Sequence, residues 1–176
     1  MKKILFLTNL IPYPLDNGGK IKTYNVIKAL SYEYKVDLLC FGNSSDDLKY
    51  KNDMNEITNN IEVIVKTLVR SDSKKEFVLE YLKSIFSDKP YNINKFLDNR
   101  FKNELINYLK ENEYEFVYVD HLPMMVYSNL LTGYKIILDQ HNVENLIFKR
   151  IFETERNTIK KFIGYINQFL VQISFY

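Results

Sequence analysis

Two histidines carry the clearest chemistry in this sequence, because each follows closely on a short apolar run. His121 comes after the run 116–119 and Asp120, and His141 comes shortly after the run 136–138. A neutral imidazole at the end of a strand can hydrogen-bond a hydroxyl or a phosphate, or transfer a proton, and Asp120 would orient it or bind solvent. The plain alternative is a histidine whose ring is satisfied by backbone groups.

A second candidate site is the loop that holds Gly18 and Gly19 directly before a helical pattern. Glycines at a helix start let backbone N–H groups approach an anion, and the helix dipole favours a phosphate or pyrophosphate there. The alternative is a tight turn without a ligand. Asp16 and Asn17 would bind acceptor groups or only shape the turn. The dinucleotide fingerprint and the Walker pattern are both missing, which counts against NAD, FAD and a P-loop NTPase.

The polar segment 139–144 is the third cluster. Asn142 is a predicted N-cap, and Glu144 lies in the first turn of the helix that follows, where a negative charge is favourable. We expect capping and ligand binding to coexist here. With only two histidines and one distant cysteine, Cys40, no metal-ligand cluster and no metal are expected.

Strands and helices must position these clusters, and their predicted order is strand, helix, strand, a variable region, then strand and helix twice. This alternation predicts an α/β fold, a Rossmann-like open parallel sheet with helices on both faces. The carboxyl ends of its strands would bring together residues 9–20, 120–123 and 139–144. The predicted strands are 4–8, 36–41, 61–65, 116–119 and 136–138. The first predicted helix starts at Lys20, and the others span 73–86, 94–110, 124–131 and 158–176. A short helix within 46–60 is left as a possibility.

Apolar spacing predicts which faces of two of these helices are buried. In the first helix the buried set is Ile21, Tyr24, Ile27 and Leu30. In the helix 94–110 it is Phe96, Phe101, Leu105 and Leu109.

Composition limits the class of protein. The 176 residues carry 24 basic and 22 acidic side chains and no dense basic run, so no nucleic-acid partner is expected. One cysteine cannot form an internal disulfide, which favours a reducing compartment. The apolar start 4–7 is too short for a signal peptide, and no run approaches the ~20 residues of a spanning helix. We expect a cytoplasmic protein, with peripheral contact at the inner face of the membrane left open.

Three segments resemble the N-terminal domain of family 4 retaining glycosyltransferases, which have the two-domain GT-B fold. They are KKILFLTNLIPYPLDNGGKIKTYNVIKAL, YVDHLP and ILDQHNVENLIFKR, in the family's order and at similar spacing. The resemblance covers residues 1–160 with a variable middle at 43–95. It implies transfer of a sugar, with retention, from a nucleotide-sugar donor to a hydroxyl acceptor such as a cell-surface polysaccharide or a lipid-linked glycan, without a metal or other cofactor.

The resemblance also implies roles for single residues. Gly18 and Gly19 would lie against the donor diphosphate or the acceptor, and His121 would be the catalytic histidine of the cleft. Lys22 stands where many members have an arginine; it keeps the charge but not the planar fork. His141 and Glu144 would line the same cleft.

In this family a second Rossmann-like domain holds most of the donor through a pair of glutamates and a basic residue for the phosphates. We therefore expect residues 1–157 to be the acceptor-side domain and 158–176 an amphipathic helix leading to a missing remainder. Such a fragment would be inactive alone and would self-associate through the apolar stripe at 159–173. The alternatives are a non-catalytic phosphate- or sugar-binding module, a subunit of a split glycosyltransferase, or another doubly wound enzyme such as a small epimerase.

Overall fold

A computed structural model describes residues 1–67, 91–141 and 144–175. The chain divides into two compact units, one of Met1–Val69 with Phe96–His141 and the other of Arg70–Lys95 with Asn142–Tyr176. The predicted helix 73–86 lies outside the described residues. No helix in the described part of the chain is both long and apolar enough to cross a membrane.

A sheet of five parallel strands forms the centre of the first unit, in the order β3-β2-β1-β4-β5. This confirms the predicted open parallel sheet. Because β1 lies between β2 and β4, the connections after β1 and β4 leave in opposite directions, and this is where open α/β sheets form a crevice. The strands are β1 Lys3–Thr8, β2 Lys35–Gly42, β3 Asn60–Val65, β4 Val117–Asp120 and β5 Ile136–Asp139.

The helices in the described residues are α1 Gly18–Ser31, α2 Lys51–Met54, α3 Tyr91–Asn94, α4 Asn99–Glu111, α5 Glu144–Thr154 and α6 Thr158–Phe175. Two 3₁₀ helices, Ser45–Tyr50 and Leu122–Leu130, complete the set. The second of them replaces the α-helix predicted for 124–131, and it starts directly after His121 with a proline in its first turn.

The predicted helix 94–110 is split, because α4 starts only at Asn99. Asp98 caps it, since its carboxylate accepts from the backbone N–H groups of Arg100 and Phe101. Phe96 is buried but precedes the helix.

The buried stripe of α4 also differs from the expectation. It consists of Phe101, Leu105 and Tyr108, while Leu109 is only half-buried. The spacing of the buried residues is i, i+4, i+7, which places Leu109 at the edge of the stripe.

The buried face of α1 was wrongly predicted in part. Thr23 and Ile27 are buried, whereas Ile21 is 41% exposed. Tyr24 and Leu30 are half-buried against the core as expected. The hydroxyl of Thr23 makes a buried hydrogen bond, described below, and a search for apolar periodicity cannot detect this reason for burial.

Helices cover both faces of the sheet in the first unit. On one face Ile4 and Phe6 of β1 pack in one cluster with Ile27 of α1. On the other face Phe41 of β2 stacks on Phe101 of α4, with ring centroids 4.5 Å apart. Because strand side chains alternate between faces, buried runs such as β1 serve both layers at once.

In the second unit α5 and α6 pack closely at Gly164. A Cβ on this glycine would lie 2.9 Å from Ile151 Cγ2 and 2.9 Å from the backbone nitrogen of Phe152. Elsewhere on α6, Phe162 and Phe169 are 60% and 56% exposed. Self-association through this helix stays a prediction.

Candidate functional site

Asp120 is the centre of the candidate site. It ends β4, and only 1% of it is exposed. Its Oδ2 atom accepts hydrogen bonds of 2.8 Å from the hydroxyls of both Thr8, at the end of β1, and Thr23, in the second turn of α1. These bonds fix the carboxylate to two neighbouring elements, so its orientation is set by the fold.

Both histidines lie beside this carboxylate. His141 Nε2 is 2.7 Å from Asp120 Oδ1, and His121 Nε2 is 3.7 Å from Asp120 Oδ2. The two imidazole rings are in contact, with centroids 3.7 Å apart. The shorter contact is a hydrogen bond, in which His141 Nε2 donates when Asp120 is ionised.

The backbone of His121 has an unusual conformation, with φ 74° and ψ 132°. A side chain in this region costs on the order of 1–3 kcal/mol, and such residues cluster at functional sites. The conformation is held by neighbours: the His121 N–H donates to the Asp139 carbonyl at 2.9 Å, and the His121 carbonyl accepts from Met124 N–H at 3.1 Å. The chain thus turns sharply out of β4 and keeps the imidazole next to Asp120.

The electrostatic surroundings favour a neutral His121. Burial lowers the pKa of this imidazole, the negative charge of Asp120 opposes the shift, and His141 and Lys22 add to it. The net effect places the pKa below its ordinary value. A neutral imidazole offers one donor and one acceptor nitrogen to a ligand.

Lys22 is held at the site by Asp139, the last residue of β5. Its ammonium lies 2.7 Å from Asp139 Oδ1, and the Tyr118 hydroxyl donates to Oδ2 at 2.9 Å. Burial opposes ionisation of Asp139, but hydrogen bonds from Lys22 and Tyr118 outweigh it, and the pKa of this carboxyl lies below its usual range. Lys22 and Asp139 therefore form a charged pair next to the histidines.

A cavity of about 160 Å³ opens at the crevice between the connections after β1 and β4. Pockets for drug-sized ligands are typically about 300–1,000 Å³, so this one accepts a group the size of a phosphate or a single sugar. Its lining comes from the loop after β1, the start of α1 and the end of β4, namely Thr8, Asn9, Leu10, Pro12, Asn17, Gly19, Lys20, Thr23 and His121.

The start of α1 forms one wall of this cavity. Asn17 is the N-cap, since its Oδ1 accepts from the Lys20 N–H at 3.1 Å. Asp16 contacts the Lys20 ammonium at 3.1 Å and the Asn17 amide at 2.8 Å, so both predicted binding residues have local structural partners. A Cβ on Gly18 would meet nothing within 4 Å, and one on Gly19 would lie 3.3 Å from Asn17 Oδ1.

The structure therefore brings together most of the residues that the sequence singled out. Asp120, His121 and His141 form one contact cluster, which Lys22 joins through Asp139. Asn142 lies outside the described residues. Glu144 is the first residue of α5, in the second unit, and its side chain also lies outside the described part.

Sequence reasoning missed three residues of the site, namely Thr8, Thr23 and Tyr118, whereas Lys20 fell within the predicted cluster 9–20. Thr8 had a usable signal, because it ends a buried strand at the edge where ligands bind. Thr23 follows Gly19 by one helical turn and was hidden by the apolar residues around it. Its partner Asp120 is 97 residues away in the chain.

The expectation of no metal-ligand cluster needs correction. Ligand atoms from Asp120, His121 and His141 all lie within 4.8 Å of one another. The sequence argument counted only histidines and the distant cysteine and did not include Asp120. The parallel pairing of β4 with β5 sets Asp120 opposite Asp139 and so brings the two following histidines together.

A larger depression of about 680 Å³ lies at the opposite, amino edge of the sheet. It is lined by residues 109–115 and 133–135, whose side chains mix both charges. Open parallel sheets bind their ligands at the carboxyl edge, so we assign function to the smaller cavity.

No known family model matches the chain, and no characterised protein matches it either. Two solved structures are similar. The C-terminal domain of a hydrogenase from Pyrococcus furiosus has a TM-score of 0.46 at 12% identity, covering 78% of this chain and 91% of that one. The N-terminal domain of trehalose-6-phosphate phosphatase from Candida albicans has a TM-score of 0.45 at 16% identity, covering 95% of this chain and 39% of that one. At this level the likeness concerns the α/β architecture and carries no functional argument.

Proposed function

We propose that this chain is the acceptor-side domain of a family 4 retaining glycosyltransferase, which moves a sugar from a nucleotide-sugar donor to a hydroxyl acceptor such as a cell-surface polysaccharide or a lipid-linked glycan. The observation that supports this most is the position of His121. Its strained backbone holds an imidazole in the same cavity as the start of α1. A hydrogen-bonding group for a sugar and an attractive site for a phosphate thus lie within one small cavity.

The start of α1 supplies the phosphate side of the proposal. Helix N-termini attract anions through free backbone N–H groups and the helix dipole. Lys20 adds a positive charge in the cavity lining, although Asp16 partly neutralises it. A small residue at Gly19 leaves the backbone open to close approach.

The imidazole of His121 supplies the sugar side. In this proposal it contacts a hydroxyl of the transferred sugar or of the acceptor and is the catalytic residue of this half. Asp120 is a positioning residue, because it contacts both rings and is itself fixed by two threonine hydroxyls. The cavity takes only one small group, which agrees with a donor held mainly by another domain.

The test is turnover by the full-length native protein with a panel of radiolabelled nucleotide sugars, followed as release of free sugar or transfer to a lipid-linked acceptor. His121→Ala should lower kcat by at least ~100-fold, the usual contribution of a positioned proton-transfer group. Tyr32→Ala, at an exposed position, is the matched control and should leave turnover unchanged.

Two results would oppose the proposal. Wild-type turnover by the His121→Ala variant would remove the catalytic role. Saturable binding of sugars or phosphates without turnover by the wild-type protein would favour the non-catalytic binding module.

A further inference from the structure

We propose that Asp120, His121 and His141 bind one divalent transition-metal ion of the Zn²⁺ type. Two imidazoles and one carboxylate are the ligand set that such ions accept in proteins, with the remaining coordination positions open to water or substrate. The three ligand atoms lie within 4.8 Å of one another. The inference rests on this geometry alone, and a metal on His121 would set this chain apart from the metal-free chemistry that the resemblance to family 4 implies.

The separations suit a common ion. Zinc–nitrogen and zinc–oxygen bonds of about 2.0–2.2 Å place neighbouring ligand atoms about 3–4 Å apart. The His141 Nε2 to Asp120 Oδ1 distance is 2.7 Å, and the His121 Nε2 to Asp120 Oδ2 distance is 3.7 Å. The second distance lies in this range, whereas the first is a hydrogen bond that an ion between its two atoms would lengthen.

The residues around the ligands already provide the supporting contacts of a metal site. Ligating carboxylates are usually held by further hydrogen bonds, and these tune the affinity. Here the Thr8 and Thr23 hydroxyls both donate to Asp120 Oδ2, which leaves Oδ1 directed at His141. The strained backbone of His121 likewise fixes the position of the Cα atom that carries its side chain.

Charge at the site is compatible with a cation. Metal-bound imidazoles are neutral and metal-bound carboxylates are ionised, so the ligand set would carry a single negative charge. In the nearest described ion pair, the Lys22 ammonium lies 2.7 Å from an Asp139 carboxylate oxygen, so the two opposite charges add little net charge to the site. When the ion binds His141 Nε2, the proton on that nitrogen moves to Nδ1, so the ring stays neutral.

The ion would lie beside the cavity, because His121 is both a ligand and part of the cavity lining. Its open positions would then be accessible to an anionic group seated at the start of α1. A phosphate oxygen or a bound water is the ligand that this arrangement favours.

The experiment is a titration of the tag-free, chelator-treated full chain with Co²⁺, followed by visible absorption, and then displacement by Zn²⁺. We expect bands that saturate at about one ion per chain. His121→Ala with His141→Ala should abolish them, and Thr23→Val, which removes only a supporting contact, should weaken binding about 10-fold or more. Glu33→Gln, at an exposed carboxylate, is the control and should bind like the wild-type protein.

Circular dichroism on each variant establishes that the fold is intact, and Thr23→Val keeps the test decisive if the double variant fails to fold. The proposal is overturned if no bands appear, or if Co²⁺ binds the folded double histidine variant or Thr23→Val as tightly as it binds the wild-type protein. Because the readout is absorption, a failed metal titration leaves the sugar-transfer proposal to be judged by turnover alone.

Discussion

His141 Nε2 lies 2.7 Å from Asp120 Oδ1, although the two residues are 21 positions apart in the sequence. The contact follows from parallel pairing: β4 and β5 run side by side, with Asp120 opposite Asp139, and each strand is followed closely by a histidine. The same carboxylate is tied to β1 by Thr8 and to α1 by Thr23. One buried acidic group thereby organises four elements of the carboxyl edge, and both proposals depend on it.

The backbone strain at His121 makes a prediction about stability. His121→Gly and His121→Ala remove the same imidazole contacts, but glycine accepts φ 74° at no steric cost. We expect the glycine variant to be more stable than the alanine variant by about 1 kcal/mol in urea unfolding. Gly133→Ala is the control, because it adds a Cβ at φ 93° where no heavy atom lies within 4 Å. We expect its free energy of unfolding to fall by a similar amount relative to the wild-type protein. Equal stability of the two His121 variants would mean that the backbone there is not strained.

The N-cap of α4 predicts a dependence of stability on pH. Burial opposes ionisation of Asp98, but hydrogen bonds from the Arg100 side chain and from backbone N–H groups outweigh it, so its pKa lies below the ordinary value. A lowered folded-state pKa adds stability that is fully present above the unfolded pKa, about 3.9, and is lost as pH falls through the folded pKa.

Asp98→Asn keeps a capping side chain but removes the charge. In urea unfolding from pH 6 down to pH 2, the wild-type protein should have the higher free energy of unfolding at the upper end, and this difference from the variant should disappear below about pH 4. A gap between the two proteins that stays constant over this range would contradict the prediction.

The sheet could be predicted from the sequence because buried parallel strands have a strong signal. The run 4–7 is continuously apolar and its strand is buried on both faces, as its pattern predicts. The run 61–65 contains Glu62 and belongs to an edge strand that is only partly buried, so its signal is weaker. The helix starts were harder. Asp98 is the N-cap of α4, so the helix cannot begin before it. The apolar periodicity, however, continues across Asp98 from Phe96 to Phe101 and gives no sign of this boundary.

The sequence allowed us to predict which residues follow the strands at the site, but not which of them contact one another. His121, His141 and Asp120 were found because ligands collect at the carboxyl edge of such sheets. Their mutual distances depend on β4 pairing with β5, and the role of Thr23 depends on how α1 packs against the sheet. Both are tertiary facts that a residue pattern does not contain.

The close approach of α5 and α6 predicts an unusual response at Gly164. Alanine in place of glycine inside a helix ordinarily stabilises by about 0.5–1 kcal/mol. Here the new Cβ would come within 2.9 Å of Ile151 and the Phe152 backbone, so we expect a loss of about 1–3 kcal/mol instead. Limited proteolysis of the full chain, followed as cleavage within the second unit, would measure it. Gly18→Ala in the first unit, where the added Cβ has open space, is the control and should be cleaved like the wild-type protein. Faster cleavage in Gly18→Ala than in Gly164→Ala would contradict the packing described.

The exposed aromatic residues of α6 predict that the chain associates with itself. Phe162, Tyr165 and Phe169 are 60%, 52% and 56% exposed, and their spacing of i, i+3, i+7 places them on one stripe of the helix. Contiguous apolar patches of this kind favour contact with another surface. Sedimentation velocity over a range of concentrations should show a mass that rises with concentration, and Phe162→Ser with Phe169→Ser should remove the rise. Tyr32→Ser, at an isolated aromatic residue that is 73% exposed, should not change it. A monomer at every concentration would show that a single exposed stripe on this helix is too weak to hold two chains together.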